Sequence, residues 1–297
     1  MFDDNQEGSG MRSIVPILTV LAALIAIWYA GAVALNADWA RQQAERQDRT
    51  LTTSELIVET WNQDRPRLPA PHQVAVELWD TTVEKKITSK RSLVYHGWVT
   101  LSVTLAGFGF GAALGIALAV AIVYSRTMDR SVMPWVIASQ TIPILAIAPM
   151  IIVVLNSIGM QGFIPKAIIA TYLSFFPVTV GMVKGLRAPS AMQLDQMKTW
   201  NASGLQGFLR LRLPSSMPYL FTSLKIAVAA SLVGTIIGEL PTGAVAGLGA
   251  RLLAGSYYGQ TVQIWSALFG AAVLAALLIL AVGVFERIVT RHMGFGR

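Results

Sequence analysis

Long stretches of this sequence carry no charged side chain, among them residues 97–124, 131–165, 167–183, 226–237 and 252–285. A helix needs about twenty apolar residues to cross the ~30 Å hydrocarbon layer of a bilayer. Inside that layer no water serves the backbone, so each segment must satisfy its own N–H and C=O groups, and long apolar runs select helices. The expected fold class is all-α, a polytopic helical membrane protein with about six transmembrane helices. Composition closes the alternative of two soluble domains: 54% of residues are hydrophobic, 13% are charged, and mean hydropathy is +0.56. Without cysteine there is neither a disulfide nor a thiolate metal site. The net charge of +7 reflects loop Lys and Arg that orient a membrane protein, so it is no sign of nucleic-acid binding.

In chain order, residues 1–13 read as a polar tail and 14–35 as the first transmembrane helix. The alternative, a secretory signal, is disfavoured because the run is long and lacks a small-x-small cleavage site. Residues 36–97 form a polar insert containing RQQAERQDR and RPRLPAPHQV. Its second half, Val74–Leu93, sets Val76, Leu78, Val83 and Ile87 among charges, as a helix lying in the membrane interface would. His72 and His96 read as surface histidines, since no further metal ligands cluster nearby.

Residues 98–290 hold the other five spans, and 291–297 a short tail. The second span, 98–124, repeats Gly107, Gly111 and Gly115 at every fourth position. Such a stripe lets helices approach closely, either at a subunit seam or in general packing. The third segment, 131–165, is interrupted by Pro134, Pro143, Pro149, Asn156 and Gly159, with polar Gln140 and Thr141 just before Pro143. Irregular backbone at membrane depth belongs where it is buried in protein or lines a cavity, so a pathway wall is expected here. The fourth span runs 166–184, the fifth 217–239 and the sixth 263–289, with a Gly-rich external segment at 240–261. Six spans put both termini on one side. Arg126, Arg130, Lys184, Arg187, Lys198, Arg210, Arg212, Arg287, Arg291 and Arg297 share that side, against Arg251 alone in the opposite short loop. Both termini are therefore expected in the cytoplasm.

The stretch 187–225 is too polar for lipid yet patterned. Pro189 can open a helix. Asn201, Ser203 and Gly204 form a breaker, with Ser203 an N-cap for a second short helix. Leu205, Phe208 and Leu209 fall at i, i+3 and i+4 as an apolar knob, while Lys198, Arg210 and Arg212 give a cationic edge. Leu213-Pro214 closes the loop and Pro218-Tyr219 starts the next membrane run. A loop so built fits a grip for another protein.

Chemistry is sparse. The spans hold no carboxylate pair, no HExxH and no GxSxG, and there is no GxxxxGK[ST] loop to hydrolyse ATP. Glu239 is the one acid at depth, either functional or hydrated near headgroups. Lys225 is expected to snorkel. The central spans hold no Arg, only Gln140, Thr141, Asn156 and Ser174 among Phe175 and Phe176, which disfavours a fixed anion site.

The loop resembles the cytoplasmic signature of ABC-importer permeases, E-A-A-x3-G-x9-I-x-L-P, with Asp195, Gln196, Met197, Asn201, Leu211 and Leu213-Pro214 in register. Its surroundings are similar to permeases of nitrate/sulfonate/taurine-type importers. Leu68-Pro69-Ala70-Pro71, Gly107-Phe108, Gly115-Ile116, Pro143-x-x-Ala146-x-x-Pro149, Phe175-Phe176-Pro177-Val178, Glu239 and Gly247-Leu248-Gly249 follow in the family's order. Two departures stand out: Val103 sits where the family often has Arg, and Leu155-Asn156-Ser157 replaces Trp-Phe-Gly.

The resemblance implies a type I, MetI-like importer permease in the inner or plasma membrane, paired with a second copy as a homodimer. The 187–214 loop would couple to two ABC ATPase subunits, which would use ATP and Mg, with no cofactor on this chain. Coupling residues would be Asp195, Gln196, Asn201, Ser203, Leu205, Phe208, Leu209, Arg210, Arg212, Leu213 and Pro214. The pathway would involve Gln140, Thr141, Pro143, Asn156, Ser174, Phe175, Phe176 and Glu239. An extracytoplasmic substrate-binding protein would deliver the solute, a pyrimidine-like or vitamin-like ring, or alternatively a nitrate-, sulfonate- or taurine-type anion. The rival of another class is a secondary transporter working without an ATPase.

Overall fold

The computed structural model describes residues 7–241 and 244–293, with side chains from residue 15 onward. Every regular element among the described residues is helical. The chain divides into two compact units, Met1–Ile87 with Leu252–Leu268, and Thr88–Arg251 with Phe269–Arg297.

In the first unit, α1 (Glu7–Glu45) has 39 residues and is about 58 Å long, nearly twice the hydrocarbon layer. The expected span 14–35 lies inside this helix, which begins at Glu7 and runs on to Glu45; residues 1–6 lie outside the described residues. The stretch NADWARQQAE changes polarity at Asn36 but contains neither Gly nor Pro, so the helix leaves the apolar layer without ending. Val15, Ile17, Val20, Leu24 and Ile27 stay exposed all round, as on a helix standing in lipid.

Beyond Trp28 the helix is clamped. The Trp28 indole donates to Pro69 O at 2.9 Å, Trp61 donates to Tyr29 O at 3.3 Å, and Tyr29 packs edge-on to Trp61 and stacks on His72. Buried Asn36 fills its hydrogen-bonding capacity: its amide donates to Leu68 O (2.8 Å) and Thr60 O (3.4 Å), and its oxygen accepts from the N–H groups of Arg67 and Leu68. Residues 36–67 therefore form a folded clamp around α2 (Thr53–Trp61), which starts at a Thr52–Glu55 capping box. The next helix, α3 (Pro71–Trp79), widens into a π turn at Asp80–Glu84 and stops there, short of the expected Leu93. Val76, Trp79 and Val83 keep the exposed apolar edge that an interfacial helix needs.

The second unit contains α4 (Leu93–Tyr124), α5 (Arg126–Ser131), α6 (Met133–Ala138), α7 (Ile144–Ser157), α8 (Phe163–Leu186), α9 (Ala191–Thr199), α10 (Gly204–Gly207) and α11 (Leu213–Glu239). α12 (Leu248–Tyr257) and α13 (Thr261–His292) each contribute to both units, and residues 294–297 of the expected tail lie outside the described residues. The centre is α8, packed between α4 and α11. Gly107, Gly111 and Gly115 face α8 so closely that a β-carbon at Gly111 would collide with Ser174 and one at Gly115 with Phe175 O and Val178. On its other side, Gly181 and Gly185 meet Ser216, Tyr219 and Ser223 of α11, and Gly234 of α11 meets Ala170. The glycine stripe is thus a seam within the chain. Small side chains bring backbones together and let hydroxyls reach across, as Ser174 does to Gly107 O (3.2 Å) and Ser231 to Thr104 O (2.8 Å).

Among the described residues, five helices are long and apolar enough to cross a membrane, within Val15–Glu45, Leu93–Tyr124, Phe163–Leu186, Gly204–Glu239 and Thr261–His292. The remaining expected span, 131–165, is not one helix. Pro134 opens α6 and Pro143 caps α7, leaving residues 139–143 irregular as the prolines dictate. At 14 residues, α7 is about 21 Å long, short of the hydrocarbon layer by itself. The segment 240–261, expected as a Gly-rich loop, contains α12 instead; Thr242 and Gly243 lie outside the described residues.

Candidate functional site

One candidate site is the polar loop between α8 and α11. Its first helix, α9, starts at Ala191 rather than Pro189, because Ser190 accepts from Gln193 N while the Gln193 side chain returns to Ser190 N at 2.9 Å. Asn201 has φ +52°, the left-handed region that glycine enters freely and asparagine tolerates. That explains how Asn201 can stand at the family's glycine. Ser203 caps α10 through a second capping box with Gln206, as expected. The chain then runs without a break from Gly204 to Glu239 through a π stretch, Phe208–Arg212, where Leu213 N bonds to Phe208 O. Pro214 has no N–H for Arg210 O, which accounts for the widened turn. Leu213-Pro214 therefore does not close the loop, and Pro218 lies inside α11.

The apolar knob is also corrected. Leu205 and Leu209 are 67% and 50% exposed, but Phe208 turns inward onto Ala119, Ile122, Met182, Val183 and Leu186, with its ring edge-on to Tyr124. Trp200 and Met192, which periodicity alone did not pick out, are exposed in the same loop. A lone Trp in a polar loop was the available signal. Arg212 caps the C-terminus of α8 by donating to Leu186 O at 2.7 Å, and Arg187 pairs with Asp129 at 2.9 Å, so both cations secure the base of the loop. Asp195 pairs with Lys198 in the open, a contact worth little, and Gln196 and Arg210 are exposed.

At the opposite end of α8 and α11, Glu239 is fully buried. Its carboxylate accepts from the Thr100 hydroxyl (2.9 and 3.2 Å) and from Gly249 N (2.7 Å). Thr100 Oγ1 in turn accepts from Leu248 N at 2.8 Å, and His96 Nδ1 accepts from Gly247 N at 3.0 Å while Nε2–H donates to Lys90 O. Gly247 has φ +125°, and a β-carbon there would overlap the carboxylate. The motif Gly247-Leu248-Gly249 is shaped around Glu239, which serves as a latch for the start of α12. Glu239, expected in a pathway or near headgroups, is enclosed here, and the surface reading of His96 is corrected, since it is 3% exposed. Lys225, expected to snorkel, pairs with Glu286 of α13 instead.

The expected pathway residues are not brought together. Gln140, Thr141 and Pro143 occupy the break between α6 and α7, where the Tyr172 hydroxyl donates to Ser139 O. Ser174 is buried in the α4–α8 seam, and the backbone of Phe175 lies against Gly111 and Gly115. Phe176 lines an open apolar groove of about 580 Å³ with Pro177, Val180, Tyr219 and Ile226. Asn156 lines a second cavity, about 430 Å³, at the N-terminus of α8, together with Val103 and Lys166. Lys166, the first residue of the expected fourth span, borders a charge-free run, and the expectation for the central spans concerned Arg alone.

Residues 111–295 match the family described as binding-protein-dependent transport system inner membrane component. The chain is 31% identical to the formylaminopyrimidine transport permease protein ThiX of Halalkalibacterium halodurans over 61% of this chain and 68% of that protein. It is 27% identical to the riboflavin transport system permease protein RibX of Chloroflexus aurantiacus, over 75% and 80% of the two chains. Its fold is similar to a chain of the MetNI methionine ABC transporter in an inward-facing conformation, with TM-score 0.59 and 20% identity over 67% of this chain and 96% of that one. With its helical core, its multiple membrane spans and this match in register, the chain belongs to the binding-protein-dependent transport system inner membrane components, the multi-pass permeases of ABC importers.

Proposed function

We propose that two copies of this chain form the translocation pathway of an ATP-driven importer, and that each 190–212 loop seats on one of two separate ABC ATPase subunits. The observation that carries the reading is the loop itself. Two capping boxes order it, yet it exposes Met192, Trp200, Leu205 and Leu209, large apolar side chains that a docked partner would cover. The ATPases would bind ATP and Mg; this chain would bind no cofactor. The Lys/Arg count supports a cytoplasmic loop and cytoplasmic termini, with 131–165 crossing as a broken segment. The substrate-binding protein would then deliver solute at the end where Glu239 fixes the start of α12.

For the solute, a pyrimidine-like or vitamin-like ring is supported by the names of ThiX and RibX, and by the groove that sets Phe176 near Tyr219. A second reading, nitrate-, sulfonate- or taurine-type anions, is favoured by Lys166 in the outer cavity. The test is uptake into proteoliposomes holding permease, ATPase and binding protein. Radiolabelled formylaminopyrimidine or riboflavin should accumulate only with ATP inside the compartment that contains the ATPase. Uptake by the permease alone, driven by an ion gradient, would instead support a secondary transporter.

A further inference from the structure

We infer that the cavity at the N-terminus of α8 is a selectivity station in which Lys166 holds the single oxyanion group, carboxylate or sulfonate, of the transported solute. This rests on the importer reading and adds a solute chemistry to it. Lys166 is only 7% exposed, yet it lines the cavity, and its side chain forms no hydrogen bond or ion pair with the described residues. Its ammonium opens on the cavity with no counter-charge in contact, an arrangement that favours an anion arriving from outside. The nearby acid, Glu239, lies within electrostatic reach, but its oxygens are already committed to Thr100 and Gly249.

Two further features fit an anion. The cavity sits at the start of a 24-residue helix whose N-cap, Gly162, offers no side chain to the first-turn N–H groups. Asn156, at the cavity wall, adds an amide donor. Lys166 is the one cation among the lining residues, so the site balances one negative charge and leaves Val99, Val103 and Phe163 for a carbon body. At about 430 Å³ the cavity suits a small organic molecule.

The chain has no cysteine, so Val245→Cys, on the exposed rim, can carry a single environment-sensitive fluorophore. In phosphatidylcholine nanodiscs, benzoate should shift the emission saturably and the neutral isostere benzamide should not. Lys166→Gln should weaken the benzoate response about tenfold or more, and Lys166→Arg should restore it. Equal responses to benzoate and benzamide, or an undiminished response in Lys166→Gln, would overturn the assignment. So would a signal that follows added phosphatidylglycerol and ignores benzoate, because the occupant would then be a lipid headgroup. If Lys166→Gln does not fold, the benzoate–benzamide comparison in the Val245→Cys parent decides. Co-purification of the ATPase is scored in parallel: its loss in every variant, parent included, would count against the importer reading and leave the anion result legible.

Discussion

Replacing Leu205 and Leu209 together by aspartate is expected to abolish co-purification of the partner ATPase and ATP-driven uptake, while the chain still inserts and melts as before. Both side chains are at least half exposed and add little to the fold, so their loss costs little stability. Docking would bury them. Full burial of a leucine contributes about 1.5–3 kcal/mol, and scaled to the exposed share of these two, docking accounts for roughly twentyfold to several hundredfold in affinity before the new charges are counted. Phe208 separates the two effects. It packs on Ala119, Ile122, Met182, Val183 and Leu186 and lies against Tyr124, so Phe208→Ala should lower the melting temperature while docking in the surviving folded protein stays near normal. Pull-down of the ATPase and thermal melting, measured on both variants, give the comparison. Normal pull-down by the double aspartate variant would sink the docking assignment.

The second large effect is expected at Glu239. Glu239→Ala removes the acceptor for Gly249 N and the Thr100 hydroxyl and leaves both donors buried. An unsatisfied buried donor costs about 1–3 kcal/mol, so two of them amount to much of a membrane protein's local stability. The expected result is release of the Gly247-Leu248-Gly249 turn and loss of transport, with the 190–212 loop still competent to dock. Thr100→Val should share the phenotype in weaker form, since it keeps the shape and loses both the donor to Glu239 and the acceptor for Leu248 N. The readout is labelling of a single cysteine at Val245 by a membrane-impermeant maleimide, which should quicken in both variants. Unchanged labelling with transport lost would return Glu239 to a direct role in the pathway.

What the sequence disclosed here follows a physical division. Burial in lipid writes itself along the chain as charge-free runs, so the long helices were legible, as was the Ser203 cap, whose partner Gln206 is three residues away. Polarity misled at the ends of elements. Asn36 marks where α1 leaves the apolar layer, but helix propensity carries it on to Glu45. Pro214 and Pro218 look like stops, yet a π stretch absorbs the first and α11 continues past the second. Contacts between distant residues were not legible. Thr100 and Glu239 are 139 positions apart, so the latch that explains Gly247, Gly249 and His96 shows no local pattern. Lys166 was hidden differently: next to a charge-free run it looks like a boundary, and only the packing of α8 against Gly238 of α11 puts it inside. Leu205, Phe208 and Leu209 share one helical stripe by spacing, but the fold of the loop turns one inward and leaves two outside.

The most direct test of the proposed importer uses the absence of native cysteine. Leu205→Cys, co-expressed with the ATPase in membranes, is treated with a short bifunctional cross-linker, with Val245→Cys at the other end of the bundle as control. A cross-link to the ATPase from position 205 and none from position 245 is the predicted result. No adduct from position 205, together with maleimide labelling of that cysteine that is the same with and without the ATPase, would contradict it.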